Sequence, residues 1–151
     1  MSSDPALPTA ETAAGTGGGN LAGLLLARFD GASEGPLGEF ARAYARRVAV
    51  GPLDEPGIDA LAAQVAGLFE FISERRPGDI HVRAFNPDGA RDGWSCRGSV
   101  LEANVDDMPF LIDSVTEELR RRGLAVRNVM HPVIGVERDG NGRLALSLIH
   151  I

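Results

Sequence analysis

Two adjacent carboxylates, Asp106 and Asp107, precede Pro109 in the run Asp-Asp-Met-Pro, where a predicted strand meets a predicted helix. A carboxylate beside the unpaired N–H groups of a helix start can bind an amino-acid effector, holding its ammonium on aspartate and its carboxylate on the backbone. The simpler interpretation is that Asp107 is the helix N-cap and that Pro109 lies in the first turn, where its missing N–H costs nothing. Because aspartate is a common cap, we favour the cap for this turn, which comprises Asp106, Asp107, Met108 and Pro109.

His131, which stands next to Pro132, is the other residue that can do chemistry, as a proton-transfer group. No serine, cysteine or pair of carboxylates is placed to use it, so we favour an imidazole satisfied within a sheet. The single cysteine, Cys96, excludes an internal disulfide and fits a reducing cytoplasm, and with three scattered histidines it has no zinc-site spacing. We therefore predict no catalytic, metal-binding or cofactor-binding residue in this chain.

Two further features concern docking. Residues 120–122 are three arginines that can bind an anion or another subunit, although pairing with Glu117 and Glu118 on a solvated helix face is the default interpretation. Trp94 is either a docking residue for a neighbouring domain or an ordinary core aromatic.

Composition narrows the classes of partner. A chain of 151 residues can hold one domain with a modest core, and its net charge of −6 argues against nucleic acid. Residues 15–20 are glycine-rich, but they follow no strand and lack the last glycine of a dinucleotide-binding turn. The first twenty residues carry no basic residue, and the apolar run 21–29 is too short to span a bilayer, so we expect neither a signal peptide nor a membrane segment.

The periodicity of apolar residues changes along the chain. After a tail over residues 1–20 that is predicted to be disordered, a four-residue apolar spacing predicts helices in a segment that ends at residue 78. From residue 79 onwards, alternation and turn residues predict strands separated by one amphipathic helix that Gly123 ends. The predicted helices cover residues 21–30, 37–48, 58–74 and 108–122, and the predicted strands cover 80–85, 100–105, 126–137 (interrupted by Pro132) and 144 onwards, with a hairpin turn at 139–142.

The predicted fold class is α+β. The order strand, helix, strand and hairpin strand over residues 79–151 is the first part of a ferredoxin-like unit, and in enzymes of amino-acid metabolism that unit is often the ACT regulatory module. ACT turns that bind amino acids commonly carry a glycine after the proline. Phe110 stands there in this chain, which argues against close approach of a ligand to the backbone.

One stretch of the chain resembles a known family. The residues that carry the resemblance are Asp106 to Leu111, then Asp113-Ser114-Val115 and His131-Pro132-Val133, with a weaker likeness back to Tyr44. They are similar to the N-terminal region of the NAD-specific glutamate dehydrogenases with very large subunits.

The resemblance implies a cytoplasmic, homo-oligomeric enzyme that deaminates L-glutamate to 2-oxoglutarate and ammonium with NAD. It also implies active-site lysines, and all fifteen basic residues here are arginines. We therefore expect a non-catalytic regulatory or assembly segment that binds no NAD itself and contacts the remaining domains of the same polypeptide. The alternatives are a stand-alone ACT-like module that senses an amino acid, or an oligomerisation module without a ligand.

Residues 146–151 resemble the translation of a transposon end used in sequencing libraries. We expect the natural reading frame to continue differently after residue 145, and His150 is given no functional role.

Overall fold

Three helices make up the first half of the computed structural model, which describes residues 18–48 and 53–149. They are α1 (Gly18–Leu26), α2 (Pro36–Arg47) and α3 (Glu55–Ile72). Proline opens α2 in its first turn, and Asp54 caps α3 by accepting a hydrogen bond from the Gly57 N–H at 2.8 Å. The three helices predicted in this half are confirmed. The predicted tail lies outside the described residues except for 18–20, which belong to α1.

The apolar stripes of these helices meet in one hydrophobic core. Its largest fully buried side chains are Leu25, Phe40, Tyr44 and Val65. The Phe40 ring lies 6.1 Å from the Tyr44 ring and 5.6 Å from that of Phe69, centroid to centroid, which is the range of favourable tilted aromatic pairs. Burial, with a smaller contribution from the charge of Glu102, raises the pKa of the Tyr44 hydroxyl well above its ordinary value.

The second half contains short elements. They are β1 (His81–Phe85), α4 (Gly89–Asp92), β2 (Val100–Asn104), α5 (Leu111–Arg121), β3 (Gly135–Arg138) and β4 (Leu144–Ile149). Within the described residues the strands form two antiparallel sheets of two strands, β1 with β2 and β3 with β4. His81 lies opposite Asn104, and Phe85 lies opposite Val100. The predicted α+β class is confirmed, as is the order strand, helix, strand, strand.

The strand predicted over residues 126–137 is wrong for most of its length, since β3 begins only at Gly135. Pro132 has no N–H to give to a ladder. Met130 and Ile134 instead pack against the helical core, and the Tyr44 hydroxyl lies 3.9 Å from the Met130 sulfur. As a result β2 pairs with β1, whereas a ferredoxin-like unit would place β2 and β3 in the same sheet.

The predicted hairpin turn is present and rests against the end of α3. Asp139 Oδ1 accepts hydrogen bonds from the N–H groups of Asn141 and Arg143, at 2.8 and 3.1 Å. The carbonyl of Gly142 then accepts the backbone N–H of Arg75 at 2.8 Å, and the Leu144 N–H donates to the Ser73 carbonyl at 2.8 Å. These bonds attach the β3–β4 hairpin to the helical half.

Gly142→Ala should destabilise the fold. Gly142 has a φ of +80°, and an added Cβ would lie 2.8 Å from the carbonyl carbon and oxygen of Arg75. We expect the free energy of unfolding to fall by about 2 kcal/mol or more in denaturant titrations. Gly140→Ala is the matched control from the same turn, because nothing lies within 4 Å of the position that its Cβ would take, and it should change stability by less than about 0.5 kcal/mol. Equal effects of the two variants would contradict this account.

Candidate functional site

The turn between β2 and α5 holds the predicted site residues, but it does not cap the helix with Asp107. The helix begins at Leu111, and the N-cap position belongs to Phe110, which has a φ of 61° and makes no side-chain capping bond. The predicted Asp107 cap is therefore wrong. The physical reason is Pro109, which disfavours helical backbone at the preceding Met108 and so delays the helix start until the proline has been passed.

Asp106 is instead the partner of a buried arginine. Arg75, which follows α3, is 7% exposed, and its Nη2 donates to Asp106 Oδ1 at 2.7 Å. The second oxygen, Oδ2, accepts the N–H of Gly78 at 3.3 Å. The rest of the guanidinium is also used: Nε donates to Asn104 Oδ1 at 3.1 Å, and Nη1 donates to the Asp79 carbonyl at 3.0 Å.

Arg138, the last residue of β3, brings a second positive charge to this cluster. Its Nη1 donates to the Gly142 carbonyl at 3.1 Å, the same oxygen that accepts the Arg75 N–H. The hydrogen bond from Arg75 holds the pKa of the Asp106 carboxyl below its ordinary value. Burial, followed by the charge of Arg75, lowers the pKa of Arg138, which Asp106 partly offsets. We call Arg75, Asn104, Asp106 and Arg138 the arginine cluster.

Asp107 and Met108 lie outside this cluster. Asp107 Oδ1 is 3.9 Å from His131 Nε2, a separation that allows an ion pair when the imidazole is protonated but is too long for a hydrogen bond. The Met108 side chain is largely exposed. The two predicted site carboxylates thus face different partners. Because Arg75 already neutralises Asp106, an ammonium group at this turn would find its unneutralised carboxylate at Asp107 when His131 is not protonated.

Apart from the arginine cluster, a concave region with a volume of about 380 Å³ lies between α3, α4 and the β1–β2 sheet. Four of its five charged side chains form two pairs, the fifth being Glu70. Arg83 Nε donates to Glu102 Oε2 at 2.6 Å, and Arg91 Nη2 lies 2.9 Å from Asp92 Oδ2. Trp94 lines this region and packs edge-on against Phe85 with 6.2 Å between ring centroids. Trp94 is buried, so of its two predicted roles the core aromatic is the one observed.

The helix α5 displays apolar side chains to solvent. None of its residues is buried. Of the side chains beside and on it, Phe110 is 77% exposed, Leu124 55% and Val115 37%; we call these three the α5 surface. Ile80, Val82 and Leu101 are also exposed on the outer side of the β1–β2 sheet. Large exposed apolar side chains are typical of a contact surface where they form one patch.

The basic end of α5 is largely paired, as predicted for residues 120–122. Glu118 accepts from Arg122 Nε at 2.8 Å and lies 3.0 Å from Arg121 Nη2. The predicted pairing with Glu118 is therefore confirmed, for both Arg121 and Arg122, whereas neither arginine pairs with Glu117. Among residues 18–48 and 53–149, no three histidine, cysteine or acidic side chains are grouped to hold a metal ion. No helix in the same ranges is both long and apolar enough to cross a membrane.

The sequence did not point to Arg75, Asn104 or Arg138 as site residues. Arg75 stands beside Arg76 at a helix end, and nothing local separates the buried arginine from the exposed one. Of the four residues in the cluster, only Asp106 could be picked out from the sequence, because it is a carboxylate between a predicted strand and a predicted helix. Its partner lies 31 positions away in the chain.

Comparisons with known proteins identify relatives for most of the chain. Residues 40–148 match the family model described as glutamate dehydrogenase, ACT1 domain. The chain is 32% identical over 120 residues to an NAD-specific glutamate dehydrogenase of Halomonas elongata, covering 80% of this chain and 7% of the relative. It is 28% identical over 105 residues to the protein of the same name from Pseudomonas aeruginosa, covering 70% and 6%. The chain thus spans less than a tenth of the length of these curated relatives. No solved structure matches the chain.

Replacing two aspartates should separate a real cap from an apparent one. Asp54→Ala removes the acceptor of the Gly57 N–H and should lower the free energy of unfolding by about 0.5–2 kcal/mol. Asp107→Ala removes no capping bond and should cost less than about 0.5 kcal/mol. Denaturant unfolding of both variants measures this. A loss at Asp107 as large as that at Asp54 would show that Asp107 does cap α5.

Asp106→Asn should change the response of stability to acid. Because the pKa of Asp106 lies below its ordinary value of 3.8 in the folded chain, its contribution is fully present above that value and is lost as pH falls through the folded-state pKa. The difference in unfolding free energy between wild type and Asp106→Asn should therefore be largest near neutral pH and should shrink below about pH 4. Unfolding curves collected from neutral to acidic pH provide the measurement.

The double variant is the control for that experiment. In an Arg75→Met background the carboxylate has lost the hydrogen bond that causes the shift, so the pH-dependent effect of Asp106→Asn should largely disappear. A difference that keeps its pH dependence without Arg75 would assign the effect to another group.

Proposed function

Because the chain belongs to the glutamate dehydrogenase ACT1 family, we propose that it is the non-catalytic N-terminal part of an NAD-dependent glutamate dehydrogenase. The complete enzyme would act in the cytoplasm. There it would convert L-glutamate, water and NAD⁺ into 2-oxoglutarate, ammonium, NADH and a proton. The observation that carries the proposal is the family match over residues 40–148, joined to two relatives that bear this name.

The described residues do not fit NAD. A dinucleotide site of the common type needs a parallel strand, a glycine-rich turn and a helix whose N-terminus faces the pyrophosphate. Within residues 18–48 and 53–149 every strand is antiparallel to its partner, and the strand-to-helix turn carries Asp106, Asp107 and Pro109. This turn contains no glycine, which a dinucleotide-binding turn needs for the backbone to approach the pyrophosphate closely. This supports a nucleotide site elsewhere in the polypeptide.

The composition also supports a glutamate-binding site that lies in another part of the polypeptide. The family resemblance implies lysine side chains that hold the substrate, and the 151 residues contain none. Arginine is no substitute for a lysine that must change its protonation state, because guanidinium stays charged. The residues that bind and deprotonate glutamate would therefore belong to other parts of the enzyme.

The α5 surface gives this part of the enzyme an assembly role. Phe110, Val115 and Leu124 lie exposed, and the partner we propose for them is another domain of the same polypeptide. The length of the relatives supports this choice, since more than nine tenths of each lies outside the matched segment. An apolar face of this kind would become buried when that domain packs against it.

The isolated chain should form no NADH from glutamate, whereas the enzyme expressed from the complete gene should do so. Val115→Asp in the complete enzyme should place a charge in the contact between domains, and we expect lower activity together with easier unfolding. Glu117→Gln, on the same helix, is the matched control and should leave both properties unchanged. NADH absorbance, thermal unfolding and native mass are the measurements.

Each result has a defined meaning. Turnover by the isolated chain that survives repurification would refute the non-catalytic assignment. A complete gene without glutamate dehydrogenase activity would refute the enzyme assignment. If Val115→Asp changes the native mass, the α5 surface contacts a second subunit, and the proposed intrachain partner is wrong.

A further inference from the structure

Two buried N–H donors in the arginine cluster have no acceptor among the residues that the structure describes. They are Asn104 Nδ2 and Arg138 Nε. Asn104 is 8% exposed as a whole residue. A buried donor without an acceptor costs about 1–3 kcal/mol, and more for a charged group. Two of them in one cluster point to a missing acceptor.

The orientation of the Asn104 amide does not explain the orphaned donor. Its Oδ1 accepts from Arg75 Nε at 3.1 Å. Rotating the amide by half a turn would place an NH₂ group against a guanidinium N–H, so that two donors faced each other. The amide nitrogen is thus held away from Arg75 by the bond that the oxygen makes.

The cluster also carries more positive than negative charge. Arg75 and Arg138 supply two guanidinium groups, and Asp106 supplies one carboxylate. The Asp106 oxygens accept from Arg75 Nη2 and from the Gly78 N–H, and neither oxygen accepts from Asn104 Nδ2 or Arg138 Nε. Arg138 donates only to the neutral carbonyl of Gly142 among the described residues. The group that would complete the cluster is therefore an acceptor with a negative charge.

We propose that the arginine cluster binds a small oxyanion of the carboxylate or phosphate type, which accepts hydrogen bonds from Asn104 Nδ2 and Arg138 Nε. A guanidinium edge beside an amide N–H is a common way of binding such oxygens. The two donors belong to one unit, since Asn104 is bonded to the Arg75 side chain and Arg138 shares the Gly142 carbonyl with the Arg75 backbone. A water could accept such a bond but would leave the excess charge in place.

Unfolding of the 151-residue chain in the presence of two probes, inorganic phosphate and acetate, tests the proposal. Ionic strength is held constant with sodium chloride, so that screening does not change. A site predicts a saturable rise of the unfolding midpoint, by about 3–5 °C when the anion is roughly tenfold above its dissociation constant. Proton–nitrogen correlation spectra should show the Asn104 NH₂ and Arg138 Nε–H signals moving with the same saturation. The relative response to the two probes separates a phosphate site from a carboxylate site.

Three variants test whether the response to added anion comes from Asn104 Nδ2 and Arg138 Nε. Asn104→Asp keeps the acceptor for Arg75 but replaces the orphaned donor with a negative oxygen, so the response to added anion should be lost. Arg138→Met keeps an unbranched apolar stem, removes the second donor and should lose the response as well. Arg143→Met removes a positive charge from the same hairpin but leaves both orphaned donors, and its response should match that of the wild type.

Three outcomes would overturn the proposal. A response equally weakened in Arg143→Met would indicate general charge attraction. A response retained in Asn104→Asp would place the anion elsewhere. No response of midpoint or spectra to either probe would mean that a water, or an acidic side chain from another part of the polypeptide, meets these donors.

Discussion

The buried guanidinium of Arg75 is the interaction on which the two halves of the chain depend. Removing a guanidinium from water costs several kcal/mol, and this is offset only if its donors find acceptors. The acceptors come from separate places: Asp106 and Asn104 around the end of β2, and the carbonyl of Asp79 before β1. The backbone N–H of the same residue binds the β3–β4 hairpin. One residue thus sets the position of both small sheets relative to α3.

In this arrangement only some of the apolar side chains in the second half are buried. The helical core takes in Met130, Ile134 and Val136 from the β3 side, while α5 and the outer face of the β1–β2 sheet remain open. A domain that held its second half mainly through hydrophobic burial would have covered α5. Here the polar contacts of Arg75 add to those apolar ones in holding the second half, and apolar side chains on and beside α5 stay exposed.

Prediction from the sequence succeeded where the signal was local. The stripe through Leu61 and Val65 specifies a helix because every turn repeats it, and the hairpin follows from the residues of its own turn. Prediction failed where a neighbouring residue restricted the backbone, and where a contact joined residues that are far apart in sequence. Asp107 has the right chemistry for a cap, but Pro109 moved the helix start beyond it. The valines and isoleucine after residue 125 suit a strand, yet Met130 and Ile134 of this segment pack on the helices instead. The arginine cluster joins residues from separate segments and has no local pattern.

The double use of the Gly142 carbonyl has a consequence for the order of folding. This oxygen joins the hairpin to residue 75, across a stretch of chain that contains β1, α4, β2, α5 and β3, and it accepts from Arg138 as well. Such a contact is distant in sequence, and the loop-closure entropy must be overcome before it contributes. The helical half, whose contacts are nearer in sequence, can form first. The amide protons of residues 75 and 144 would then gain protection from exchange together and late, since the bonds they donate to the carbonyls of Gly142 and Ser73 close in one step.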